Sequence, residues 1–256
     1  MTRETHYFGS NCRAVCNKNW GIIMKQQHDE IIKRLTEPNE SANVLLHDIW
    51  EPWARRILYS GSSLRYLEDC SQLDHWSKFE SSCELRLDAV RKYGYAIPSA
   101  EALTVIQRVS NGRVIEVGSG TGYWANLLQL RGVDIIAVDT GEEFKPTFFE
   151  STVNMDASVY LKHNDGCPDR ALFMCWPRDT DEFLAHYRGN TVIWIGEDDG
   201  CTGEIDAESG WTQDLEEDVP KDIPNWLGIH DIMRVYRRSE SSSPGPTKVC
   251  ATVATL

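Results

Sequence analysis

The chain has 256 residues, 41% of them hydrophobic, enough to bury one sizeable core with additions or two small ones. Lys and Arg number 26 against 39 Asp and Glu, a formal net charge of -13, and no basic patch is visible, so a phosphate backbone is repelled and nucleic acid is a poor candidate partner. No apolar run reaches the length that spans a bilayer and the N-terminus carries no basic-then-apolar signal; the expectation is a soluble, cytoplasmic protein with no membrane contact.

The first twenty residues show no readable period. Beyond them the apolar spacing is helical: Ile22, Ile23, Ile31, Ile32 and Leu35 mark one helix, and Leu46, Ile49, Trp50, Trp53 and Ile57 a second that Pro52 should kink or start. A third is expected from about Phe79 to Lys92. The aromatic residues here read as helix packing and not as a substrate cage. The eight cysteines include no C-x-x-C pair with nearby His ligands, so neither a disulfide framework nor a zinc site is expected, and the thiols suit a reducing compartment.

The pattern changes near residue 95, which divides the chain into a helical region 1–95, an α/β domain 96–238 and a polar tail 239–256 expected to be disordered. Pro98 and Ser99 open a helix whose face is Ala102, Val105, Ile106 and Val109, and Asn111-Gly112 closes it. A β-branched strand from Val114 then enters a turn with Gly118, Gly120 and Gly122, with Glu116 two residues before the first of them. Glycine lets backbone approach a ligand where a Cβ would obstruct. Trp124, Leu127 and Leu128 predict the helix that follows, Gly132 its stop, and Val133–Asp139 a second buried strand ending in an acid.

The spacing bears on the ligand. A dinucleotide turn reads G-x-G-x-x-G, but here the third Gly falls one residue early and Tyr123 stands in its place, which argues against NAD. Glu116 would repel a pyrophosphate and can receive an ammonium. Asp139, at the carboxyl end of its strand, is placed to accept hydrogen bonds from ribose hydroxyls, although an acid there can also be a helix cap.

Further along, a weak strand is expected near Ser158–Lys162, before Asn164-Asp165. Ala171–Trp176 is a clear strand ending at Pro177, and Thr180 or Asp179 can cap a helix with Phe183, Leu184 and Tyr187 that Gly189 stops. Thr191–Gly196 is another strand, the acidic run from Glu197 to Asp222 reads as a solvated loop, and Asp231–Arg237 as a last strand suited to an antiparallel position.

The run E-x-G-x-G-x-G over Glu116–Gly122 resembles motif I of the class I S-adenosylmethionine-dependent methyltransferases. The segments YGYAIPSAEAL, VIEVGSGTGYWANLLQLRGVDIIAVD, ALFMCWPRD, TVIWIGEDDGCTG and IPNWLGIHDIMRVYRR look like blocks of a little-characterised methyltransferase-like family, from about Tyr93 to Arg238. The resemblance implies an α/β, Rossmann-like class I methyltransferase fold: a mostly parallel sheet with helices on both faces, an antiparallel last strand, and here a helical N-terminal extension. It implies S-adenosyl-L-methionine as cofactor, with Glu116, Gly118, Ser119, Gly120, Gly122 and Tyr123 around its methionine end. Asp139 and Thr140 would lie at the ribose, Asp165 at the adenine, and Cys175 and Trp176 at the cofactor or acceptor pocket. The stretch between Asp139 and Ala171 departs from the family in showing little recognisable helix.

Where amino-methylating enzymes that act on bases carry [ND]-P-P-[YF], this chain has Cys175, Trp176, Pro177 and Arg178, without the polar anchor. His163, His186 and His230 could act as general bases only if near the methyl group, so no catalytic residue is assigned. Gly196 and Glu197 are candidates for the acceptor rim, and Tyr93–Tyr95 for a cover on the methionine end or an aromatic hinge. The expectation is a methyltransferase with a small-molecule or protein acceptor. The alternative is a catalytically silent relative that binds the cofactor or another adenosine ligand and acts as an interaction module. No residue pattern sets an oligomeric state.

Overall fold

The computed structural model describes residues 29–59, 73–197, 201–206, 209–220 and 223–239. Ile22 and Ile23, the first twenty residues and the tail beyond 239 lie outside them. The chain divides into two units, Met1–Thr104 with Asp222–Asp231, and Val105–Lys221 with Ile232–Leu256.

In the first unit a helix over 29–36 (α1) buries Ile32 and Leu35. Leu45–Trp50 is a π-helical turn, in which the Glu51 N–H reaches the Leu46 carbonyl, and it runs into α2, Glu51–Tyr59. Pro52 explains the change of winding: it has no N–H to give the carbonyl four residues back, so the helix is free to widen just before it. Trp50 and Trp53 are core residues, as helical spacing predicts. The Trp50 indole donates to the Asn225 carbonyl (2.9 Å), and Trp53 packs on Trp226 with ring centroids 5.0 Å apart. Helix α3 spans Leu73–Tyr93. Helix α4, Ala100–Val109, starts on a cap in which Ser99 Oγ accepts from the Ala102 N–H (3.1 Å); it carries the chain from the first unit into the second.

The second unit is built on the sheet β1 Arg113–Val117, β2 Asp134–Asp139, β3 Val153–Asn154, β4 Ala171–Cys175, β5 Thr191–Glu197, β6 Trp211–Gln213 and β7 Asp231–Arg238, in the order β3-β2-β1-β4-β5-β7-β6. β3, β2, β1, β4 and β5 pair in parallel, while β6 and β7 pair antiparallel. This is the Rossmann-like sheet of the class I methyltransferase fold. Helix α5, Tyr123–Leu130, follows β1; α6, Ala157–His163, precedes β4; and α7, Asp181–His186, precedes β5. On one face Ile115, Val117, Val138, Leu172, Met174, Val192 and Trp194 pack against Leu161 of α6 and Leu184 of α7. The opposite face holds Ala125 of α5, Ala137 and Phe149.

Two sequence expectations are corrected. Ser158–Lys162 is not a strand but the body of α6, because Asp156 caps it: its Oδ1 accepts from the Val159 N–H (2.9 Å) and the Ser158 hydroxyl (2.6 Å). The cap outweighs the β-branched and aromatic content of Val159 and Tyr160. The strand lies earlier, as the two residues of β3, and a helix does stand between Asp139 and Ala171. The acidic run is also more than a loop. It contributes β6, whose Trp211 is buried and stacked on Tyr187 (5.7 Å), and Asp214 and Glu217 pair with Arg237 and Arg108. No helix among the described residues is long and apolar enough to cross a membrane.

Candidate functional site

Parallel strands end together, and here the carboxyl ends of β1, β2 and β4 bring the glycine turn, Asp139 and Trp176 to one edge of the sheet. Sequence order reverses between β1 and β4, the position at which a crevice opens in such sheets.

The three glycines all have positive φ, 67° at Gly118, 55° at Gly120 and 75° at Gly122, yet they do different work. A Cβ on Gly122 would lie 2.6 Å from Phe149 Cβ, so this glycine makes room for packing. A Cβ on Gly120 would only touch the Phe144 ring, at 3.5–3.9 Å. Beside Gly118 a Cβ would meet nothing within 4 Å. Of the three, only Gly118 therefore faces open space, which a side chain would enter.

Asp139 holds the turn in place. Its Oδ2 accepts from the Gly120 N–H (2.8 Å) and its Oδ1 from the Gly141 N–H (2.7 Å), which clamps the loop after β1 to the loop after β2. Each oxygen retains a lone pair for a ligand hydroxyl. Thr140 is exposed, and its hydroxyl accepts from the Glu142 N–H.

Glu116 lies beneath the turn, 1% exposed. The Ala125 N–H donates to its carboxyl, and Oε2 has no partner. Burial first, and the Asp139 carboxylate second, push the group up to about 8. Ser119 Oγ and Trp124 Nε1 are likewise buried without a partner. Tyr123 is in the core, edge-on to Phe148 at 4.9 Å.

The segment after β2 folds back over the turn. The N–H groups of Thr147 and Phe148 both donate to the Thr121 carbonyl (3.0 Å each), and Glu143 pairs with Arg178 beyond β4 (2.6 Å). Neither Phe144 nor Phe149 was marked by periodicity, since they sit in an irregular strap; only their density in FKPTFF was a signal. Asn154 and Met155 were also missed. Asn154 pairs in register with Asp139, and the Met155 N–H donates to the Asp139 carbonyl (3.1 Å), so both lie beside Asp139 at the same edge of the sheet.

Cys175 ends β4, half-buried, and Trp176 follows at φ 55°, its N–H donating to the Ile195 carbonyl (2.8 Å). A Trp in the left-handed region immediately before a Pro is strained backbone, held at the carboxyl edge by the neighbouring strand. Glu197 is tied to Thr202, whose hydroxyl accepts from the Glu197 N–H and donates to its carbonyl.

The structure does not bring Asp165 to this edge. It follows α6 and precedes β4, at the amino ends of the strands, with its side chain 90% exposed and 4.0 Å from Arg188. Its expected place at the end of a strand is lost because that strand is a helix. His163 and His186 close α6 and α7 at the same far end. His230 and Tyr93–Tyr95 belong to the first unit, where Tyr93 is buried. Chemically, the edge offers an open cradle over a buried carboxyl, with a second carboxylate at its side: a seat for a ligand that carries a cationic donor and hydroxyls.

No protein-family model matches the chain, and no curated protein does. Among solved structures it is similar to the 1,6-didemethyltoxoflavin-N1-methyltransferase of Burkholderia thailandensis, crystallised with 1,6-didemethyltoxoflavin and S-adenosylhomocysteine (16% identity, 65% of this chain and 86% of that one, TM-score 0.40). It is also similar to the magnesium protoporphyrin IX methyltransferase of Synechocystis PCC 6803, crystallised with S-adenosylmethionine (11%, 80% and 100%, 0.39). A third is a putative RNA methyltransferase of Pyrococcus horikoshii (15%, 56% and 82%, 0.37).

Proposed function

We propose that the protein binds S-adenosyl-L-methionine at the carboxyl edge of β1, β2 and β4 and transfers its methyl group to a small molecule or a protein side chain. The observation that carries this reading is the buried, half-partnered Glu116 behind the open face of Gly118. A carboxyl placed there with one oxygen unpartnered calls for a ligand donor, and an ammonium is the strongest one.

The chain's residues divide the work. Glu116 receives the amino group, Gly118 leaves the space in which the chain of the amino acid lies, and Asp139 offers its remaining lone pairs to the ribose hydroxyls while it clamps the turn. Asn154 and Met155 border the adenine side, and Cys175, Trp176 and Pro177 the acceptor side. When bound, the cofactor supplies an electrophilic methyl on a positively charged sulfur, so the protein's task is alignment of an acceptor and removal of any acceptor proton. A reducing compartment such as the cytoplasm suits a chain whose eight cysteines include no C-x-x-C pair.

Calorimetric titration with S-adenosylhomocysteine and with NAD tests the site: binding of the first and not the second is expected, and the reverse would reject the reading. Formation of S-adenosylhomocysteine from S-adenosylmethionine over a metabolite pool then separates an enzyme from a silent cofactor-binding relative.

A further inference from the structure

The strap between β2 and β3 runs alongside the glycine turn. The Phe144 ring lies beside Gly120, the Thr147 and Phe148 N–H groups bond to the Thr121 carbonyl, and Phe149 packs against Gly122. Its second half is thus fastened to the turn, with Phe149 buried. Its first half, residues 142–146, leaves Gly141 at φ 68° without regular structure, and Glu142, Glu143 and Lys145 are exposed. Lys145 Nζ donates to the Gly141 carbonyl (2.7 Å), which draws this half into a compact loop.

From that loop Glu143 reaches Arg178, 2.6 Å away. Glu143 follows β2 and Arg178 follows β4, and β1 lies between those two strands. The pair therefore bridges two strand spacings, about 10 Å, across the carboxyl end of β1, where the glycine turn begins. The Arg178 end of the bridge is firmly seated. The Gly203 N–H donates to the Pro177 carbonyl (2.7 Å), the Thr180 hydroxyl donates to the Glu204 carbonyl, and a Cβ on Gly203 would lie 2.9 Å from the Arg178 carbonyl oxygen. The Glu143 end is an exposed loop between two fixed points, the Gly141 N–H on Asp139 and the Thr147 N–H on Thr121. Both members of the pair are exposed, and an exposed ion pair is weak and screened by salt, so the bridge can break and re-form without disturbing the core.

We propose that residues 142–146 are a lid over the carboxyl end of β1, latched to the loop after β4 by Glu143 and Arg178, and that its opening sets how fast a ligand enters and leaves. The proposal rests on the cofactor reading above and adds a gate to that site. A gate that closes over the site whether or not it is occupied slows entry and exit by the same factor and leaves the equilibrium affinity where it was. A contact with the ligand acts instead mainly on exit.

Association and dissociation of S-adenosylhomocysteine are followed by stopped-flow tryptophan fluorescence in the wild type, in Glu143→Gln, in Arg178→Gln and in the swap that combines Glu143→Arg with Arg178→Glu. This ligand is a zwitterion without net charge, so removing a charge from the protein does not by itself steer it. Each single variant is expected to raise both rates about threefold with Kd within about 1.5-fold of wild type, and the swap to return both rates toward wild type. Faster dissociation alone, with affinity falling to match, would make the pair a binding contact and overturn the gate. So would unchanged rates, or a swap as fast as the single variants. A wild type that calorimetry shows not to bind S-adenosylhomocysteine would instead remove the cofactor reading, and the gate with it.

Discussion

A carboxyl held neutral at the proposed site makes pH a direct probe of it. Glu116 rises from 4.5 to about 8 because it is buried and faces Asp139. Between those values the unfolded chain ionises this group and the folded chain does not, so its contribution to stability is full below about pH 4.5 and is lost as pH rises through about 8. Glu116→Gln is therefore expected to flatten the fall in Tm between about pH 4.5 and 8, and an unchanged slope would contradict the assigned burial. A cationic ligand favours the ionised form, so wild-type affinity for S-adenosylhomocysteine should climb as pH approaches 8 and the Gln variant should show no such climb.

The glycines give a second test at the same scale. Gly118→Ala and Gly120→Ala both place a side chain at positive φ, at a similar cost of about 1–2 kcal/mol. Only the first puts a Cβ into the open cradle; the second meets the Phe144 ring at ordinary contact distance. Loss of ligand binding of tenfold or more is expected for Gly118→Ala and a smaller loss for Gly120→Ala, with circular dichroism melts to verify equal folding. The difference arises because the Phe144 ring of the strap already lies beside Gly120, whereas the space beside Gly118 is open.

Among elements, the strap between β2 and β3 matters most to the site. It stands where the sequence shows no helical period, and its order comes from two N–H donors on the Thr121 carbonyl and from Phe149, buried against Gly122, Ala125 and Ala137. Phe149→Ala is expected to destabilise the second unit by about 3–5 kcal/mol in urea unfolding; a loss under about 1 kcal/mol would show that the strap is only laid on the surface. The Glu143–Arg178 pair is a lesser tie, since Arg178 is 81% exposed and such pairs contribute about 0–1 kcal/mol.

At the scale of the whole chain, composition and contacts divide the molecule differently. The change of period near residue 95 suggests a cut there, but residues 223–231 pack with the N-terminal helices: Trp226 lies on Trp53, and Asn225 accepts from the Trp50 indole. A fragment of residues 96–238 leaves the buried Ile223, Trp226 and Leu227 without those partners. It is expected to bind a hydrophobic dye and to melt well below the full chain; a fragment as stable as the whole would mean that these contacts contribute little.

What could be read from the residues alone was whatever is local. The positive φ of three glycines, the helix after them, the capping hydroxyl of Ser99 and the acid closing β2 each follow from properties of a few neighbouring residues, and with them came the fold class. Tertiary structure decided the rest. The two-residue β3 is held by register with Val138 and Asp139 and has no pattern of its own; Asp165 went to the far edge when Asp156 capped a helix; and the strap is ordered by contacts with the turn it covers. Glu116, Ser119 and Trp124 are orphaned by what surrounds them, and burial and hydrogen-bond satisfaction are properties of packing across strands that no stretch of sequence contains.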